Sequence, residues 1–150
     1  MGITNSNKEV NVSQITCGGT FQVTLGLSAA PDISENPVDI VLVRDRSGSM
    51  AGSPLENLKL GADPFIDIID ETTDSTQDGQ IGSGSHIGIV SFSGSASADT
   101  QLITSVADLK AAVAALSAGG STNHADAFST AASLFDPSSS NEKVIVMFTD

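Results

Sequence analysis

Asp45, Ser47 and Ser49 stand at alternate positions in Val-Leu-Val-Arg-Asp-Arg-Ser-Gly-Ser-Met, residues 41–50, with Gly48 between the serines to permit a tight turn. A carboxylate and two hydroxyls at this spacing present three oxygen donors from one short loop. Two further oxygen donors follow punctuation of the same kind. Thr122 comes after the Gly119-Gly120 turn, and Asp150 closes Phe148-Thr149-Asp150. Hard oxygen donors without thiol or imidazole suit Mg²⁺, Mn²⁺ or Ca²⁺ rather than zinc or copper. The plainer reading, in which Ser47 or Ser49 merely caps the next helix, leaves Thr122 and Asp150 as coincidences.

The elements around these residues explain how they would meet. Val38–Val43 is an almost unbroken aliphatic run, as expected of a strand covered on both faces. Ser53, Pro54 and Glu56 have the pattern of a capping box opening a helix, with Ser53 as N-cap. Leu55, Leu58, Phe65, Ile66 and Ile69 are its expected buried positions, and Pro64 is expected to kink or break it. Residues 70–85 read as a Gly/Ser/Asp loop, Ile87–Phe92 as a second apolar strand and 98–104 as a short third. Helices are expected from Ser105 to Gly119-Gly120 and from about Asn123 to before Pro137. Lys143–Thr149 is a further strand, apolar on both faces. Strands alternating with helices mean an α/β domain with a largely parallel sheet. In such sheets ligands bind beyond the carboxyl ends of the strands. If the strands before Asp45 and Asp150 share one sheet, two carboxylates and three hydroxyls converge at one edge. Ahead of this domain, residues 1–19 read as a loose lead-in. Thr20–Ser28 alternates as a half-buried edge strand with Phe21, Val23, Leu25 and Leu27 on one face. Residues 29–37 read as a linker. The division expected is therefore 1–37 as an N-terminal extension and 38–150 as the domain.

Residues 41–50 resemble the Asp-x-Ser-x-Ser signature of the von Willebrand factor type A (VWA, integrin I-like) domain. Gly119-Gly120-Ser121-Thr122 is similar to that family's Gly-Gly-x-Thr element, and Phe148-Thr149-Asp150 to its strand-end aspartate. Three elements in the family's order cover its metal-ion-dependent adhesion site, and the resemblance spans 38–150. It implies a Rossmann-like fold with a central sheet flanked by helices, continuing beyond Asp150 into C-terminal strands and helices. It also implies that Ser47, Ser49 and Thr122 coordinate a divalent ion, Mg²⁺ or else Mn²⁺ or Ca²⁺, through their hydroxyls. Asp45 and Asp150 then act largely through water, and a protein ligand supplies an Asp or Glu carboxylate to the ion. With carboxylates held back behind water, the metal stays a strong electrophile for the incoming acid. Asp45 is expected at a solvated strand tip, where its loss leaves the fold intact. Arg44 departs from the family pattern, which has an apolar residue there. An arginine at this position must snorkel to water or pair with an acid such as Asp45, and pairing with Asp45 would lower metal affinity.

Other patterns are weaker. Asp74-x-Thr76-x-Asp78-Gly79 is similar to the first half of a calcium-binding EF-hand loop, but Ser85 stands where the bidentate carboxylate belongs, which leaves a solvated acidic loop. Gly82-Ser83-Gly84 precedes a strand instead of following one, the reverse of a phosphate-binding loop. Ser47 or Ser49 with His124 and Asp126 lacks the Gly-x-Ser-x-Gly elbow of a nucleophile triad. Cys17 is the single cysteine, so no internal disulfide or multi-cysteine metal site forms.

Composition narrows the function classes. Six Lys plus Arg against eighteen Asp plus Glu give a net charge of −12, which repels nucleic acid and anionic membrane surfaces. Hydrophobic residues make up 39% and charged residues 16%, enough apolar material to fold. No apolar run approaches the roughly 18 residues of a membrane span. The function expected is a non-enzymatic, metal-dependent protein-binding module of a secreted or cell-surface bacterial protein. The alternatives are a Mg²⁺-dependent hydrolase or phosphotransferase, and an intracellular adaptor of an ATPase complex. The enzyme reading needs a base or nucleophile beside the metal, and only Asp45 and Asp150 are available.

Overall fold

The computed structural model describes residues 2–10, 22–30 and 36–150, which fall into two compact units, Met1–Glu35 and Asn36–Asp150. In the first unit β1 (Gly2–Val10) pairs antiparallel with β2 (Val23–Ala30), with a register shift between Ile3 and Asn5. The expected lead-in thus contains a strand, and the extension holds two strands instead of one. Phe21 and Cys17 lie outside the described residues.

The second unit is a four-stranded sheet in the order β5-β4-β3-β6. β3 (Val38–Asp45) is central and parallel to both β4 (His86–Phe92) and β6 (Glu142–Phe148), and β5 (Ala96–Ala98) joins β4 antiparallel. The aliphatic runs explain the centre. Ile40 and Leu42 of β3 and Ile87 and Ile89 of β4 pack on one face against Ala62, Ile66, Leu109 and Val113. Val41, Val43, Val90 and Phe92 pack on the other against Ala127 and Ala131. Covering on both faces is what removes the polar alternation from these strands. β6 differs from its expected double burial. Its first three residues are exposed, Val144 among them, and the rest are half-buried. It has β3 on one side and no strand on the other among the described residues.

Three helices supply the covering layers: α1 (Ser53–Asp74), α2 (Val106–Ala114) and α3 (His124–Ser133). α2 starts on Ser105, whose hydroxyl accepts the Asp108 amide, and α3 on Asn123, which accepts the Asp126 amide. α2 ends earlier than Gly119 because Lys59 reaches across from α1 to the Ala114 and Leu116 carbonyls. The start of α1 corrects the capping box. A 3-10 turn at Gly48–Met50 leads to Gly52 at φ +81, which serves as the N-cap without a side-chain bond. Ser53 is already helical, since a glycine in this conformation turns the chain into the helix one residue early. α1 also runs through Pro64 as one helix and takes in the first five residues of the expected loop. There the Thr72 and Thr73 hydroxyls bond back to the Ile68 and Ile69 carbonyls.

Pro64 leaves the Leu60 carbonyl without its helical donor on an exposed face. Pro64→Ala restores that bond and should stabilise the fold by about 1–3 kcal/mol. Urea unfolding of the two proteins measures this, and an equal or lower midpoint for the variant would contradict it.

Candidate functional site

The parallel arrangement of β3 and β6 brings their C-terminal ends side by side, with Arg44 opposite Phe148 in the register. Asp45 and Asp150 therefore emerge at the same edge of the sheet. Asp45 is fully buried. Its Oδ1 accepts the Ser47 amide at 2.7 Å and its Oδ2 the Thr149 hydroxyl at 2.7 Å. Ser47 Oγ lies 3.1 Å from Ser49 Oγ, and the Ser49 hydroxyl donates to Asp150 Oδ1 at 3.2 Å. Four of the five residues singled out in the sequence thus form one hydrogen-bonded chain, Asp45 joining it through the Ser47 amide.

Thr122 is the fifth. The loop that carries it is fastened to the same turn by main-chain bonds: Gly48 N donates to Gly120 O at 2.9 Å, and Gly119 N to Arg46 O at 2.8 Å. Asn123 N then donates to Ser93 O and Arg46 N to Phe92 O, which ties both loops to the end of β4. Two glycines are needed here. Gly120 has φ +88, and a Cβ on Gly48 would meet Gly120 O at 3.3 Å. Thr122 itself is exposed, and no hydrogen bond joins its hydroxyl to the other four residues.

Burial alone would push the Asp45 carboxyl up. Hydrogen bonds from the Ser47 hydroxyl and amide and from Thr149, with the charge of nearby His124, outweigh that and hold it below its ordinary range. Asp45 is therefore ionised at neutral pH. His124 packs its ring on Phe92 at 5.3 Å between centroids. Asp126 spends a carboxylate oxygen on the Ala96 amide at 2.7 Å. Among the described residues no hydrogen bond joins His124 to Ser47, Ser49 or Asp126, so the nucleophile triad does not assemble. Thr149 is the residue that sequence reasoning missed. Its signal was a hydroxyl one position before a strand-end acid.

Arg44 neither snorkels nor pairs with Asp45. It alternates onto the face that carries Ile40 and Leu42, is 0% exposed, and all three of its guanidinium nitrogens lack a hydrogen-bond partner. Burial lowers it from the ordinary arginine value to about 10, against the pull of Asp99 and Asp63. It still carries its proton at neutral pH.

The carboxylates of the acidic loop bond to the loop's own amides and hydroxyls. Asp70 accepts the Gly79 amide, Asp74 the Thr76 amide and hydroxyl, and Asp78 the Gln80 amide. Among the described residues no three His, Cys, Asp or Glu side chains are grouped to hold a metal. The edge cluster escapes that description because it has two carboxylates and otherwise hydroxyls.

Comparison with known proteins agrees with the architecture. The vWF domain of the type V pili tip protein Mfa5 from Porphyromonas gingivalis is 22% identical with a TM-score of 0.66, over 75% of this chain and 37% of that one. A von Willebrand factor type A structure from Catenulispora acidiphila is 22% identical with a TM-score of 0.61, over 95% and 33%. Proximal thread matrix protein 1 from the mussel byssus, solved with a zinc-occupied MIDAS motif, is 24% identical with a TM-score of 0.57, over 75% and 28%. The chain thus spans about a third of the length of these structures. No curated protein matches the sequence. The model of the von Willebrand factor type A domain matches residues 40–150, and the chain belongs to that family.

Proposed function

We propose that residues 36–150 are a metal-ion-dependent protein-binding module. Ser47, Ser49 and Thr122 would hold a divalent cation, Mg²⁺ first, through their hydroxyls, with Asp45 and Asp150 acting through water. The bound ion supplies a Lewis-acidic position for an Asp or Glu carboxylate of a protein ligand. The observation that carries this reading is the hydrogen-bonded chain from Asp45 through the Ser47 amide and the Ser47 and Ser49 hydroxyls to Asp150 at one sheet edge. Its donors are all hard oxygens, the set that suits Mg²⁺, Mn²⁺ or Ca²⁺. A neighbouring structure with a zinc-occupied MIDAS motif supports an ion in this place.

Binding is favoured over catalysis because Asp45 is buried with both oxygens bonded, to Ser47 and Thr149, and Asp150 is taken in this reading as an ion-holding group beside Ser49. The similarity to a pilus tip protein supports a surface or secreted setting. No described helix is long and apolar enough to cross a membrane. Isothermal titration with Mg²⁺ and Mn²⁺ tests the proposal. Saturable uptake near one ion per chain is expected, followed by binding of an aspartate-containing peptide that EDTA reverses. Absence of uptake for both ions would overturn it.

A further inference from the structure

Five cationic side chains belong to residues 36–150, and three of them are engaged. Lys59 bonds the Ala114 and Leu116 carbonyls, Lys110 pairs with Asp67 at 2.6 Å, and Lys143 bonds the Ser139 and Asn141 carbonyls. The two whose side chains make no hydrogen bond or ion pair among the described residues are Arg44 and Arg46, the chain's only arginines, and they flank Asp45. Asp99 and Asp63 attract the buried Arg44, which leaves Arg46 as the cation at this strand tip without an acid paired to it.

A cavity of about 420 Å³ lies at this point. Arg46 lines it together with Ser91, Ser97, Asp99 and Ser117, and Leu116 contributes an apolar wall. Arg46 sits between Asp45 and Ser47, and its carbonyl takes the Gly119 amide, so the cavity adjoins the candidate metal edge. Arg44 stands behind the wall. It is the parallel-register partner of Ser91, and its buried guanidinium has no hydrogen bond. The one acid in the lining, Asp99, is occupied by the Ser91 and Ser97 hydroxyls at 3.1 and 3.2 Å. Asp99 and Asp63 offset the buried Arg44, whereas the Arg46 guanidinium lines the cavity with no hydrogen bond or ion pair of its own among the described residues and has free donors to present. A guanidinium fork fits a carboxylate with two parallel bonds, and Leu116 suits the methylenes of a glutamate.

We propose that this cavity is a second anchor for the ligand, which receives a glutamate side chain of the acidic peptide segment whose other carboxylate goes to the metal, with Arg46 as the specificity-determining residue. This rests on the metal-dependent binding reading above. It assigns the ligand a class: a segment with two acids, one for the ion and one for Arg46.

Two blocked peptides test it on the 150-residue chain with saturating Mg²⁺, one with a single aspartate and one with an added glutamate placed one to four residues away. The second acid should tighten binding about tenfold at low salt. Arg46→Gln, which removes no existing side-chain bond, should erase that gain, and Arg46→Lys should keep part of it. Equal affinity of the two peptides for the unaltered chain would overturn the proposal. So would an undiminished gain in Arg46→Gln. If the single-aspartate peptide shows no Mg²⁺-dependent binding, the underlying reading falls and the second anchor with it.

Discussion

Asp45→Ala should weaken Mg²⁺ uptake by about 100-fold or more, the upper range for losing a residue that orients metal ligands. Ligand binding should disappear with it. The same change should lower stability by about 1–3 kcal/mol, against the intact fold expected of a solvated strand tip. The reason is burial: Asp45 is inaccessible and its two oxygens satisfy the Ser47 amide and the Thr149 hydroxyl. Alanine orphans both donors beneath the loop. Because hydrogen bonds hold the carboxyl below its ordinary range despite burial, its ionised form contributes stability at neutral pH. That contribution is lost as pH falls through the folded value. Asp45→Asn separates the two effects, since it keeps an oxygen for one donor while removing the charge. Calorimetry and urea unfolding on both variants give the readout. Unchanged Mg²⁺ uptake by a folded Asp45→Ala protein would refute the site.

Arg44→Met should have the opposite sign, stabilising the fold by about 1–4 kcal/mol. Asp99 and Asp63 attract the guanidinium, yet neither forms an ion pair with it, and burial outweighs both. Methionine keeps the apolar stem among the same neighbours and removes the charge. The sign in pH follows from the lowered value. From about 10 up to the ordinary arginine value the unfolded chain holds the proton and the folded chain does not. Stability should therefore rise with pH in that window, and the deficit is fully present below it. Thermal unfolding of Arg44→Met, Arg44→Lys and the unaltered protein at pH 7 distinguishes charge from shape. Only the methionine variant should melt higher. A lower melting point for Arg44→Met would mean that the guanidinium is net favourable where it stands.

The sheet's centre was legible because Val38–Val43 and Ile87–Phe92 carry no polar alternation, and such runs have few places to go except between two layers. The three site motifs were legible as residue types, and the parallel pairing of β3 with β6 accounts for Asp45 and Asp150 sharing an edge. What stayed hidden depended on partners distant in sequence. Gly2–Val10 lacks apolar alternation, so only its pairing with β2 marks it as a strand. The tip of β3 looks solvated by type, since Arg-Asp-Arg is polar, yet Arg44 and Asp45 are both buried, and the residue after them is fastened to the end of β4 and to the loop at 119–120, which sequence spacing does not locate. The start of α1 was misplaced by one residue because a good N-cap type at Ser53 competes with a left-handed glycine at 52, and the backbone geometry of the preceding turn decides.

The bonds that lash the two loops of the edge together run from main chain to main chain: Arg46 to Phe92 and Gly119, Gly48 to Gly120, Asn123 to Ser93. An amide and a carbonyl bond regardless of the side chain between them. Apart from Gly48 and Gly120, the positions interleaved with the oxygen donors are therefore free to change identity while the donors keep their places. Arg46 and Ser121 are such positions. Drift at these residues can alter which partners are recognised without disturbing the frame beneath, so the edge is divided into an inherited scaffold and an interchangeable face. A library randomised at 46 and 121 should retain folded, ion-binding members at high frequency while their peptide preferences diverge.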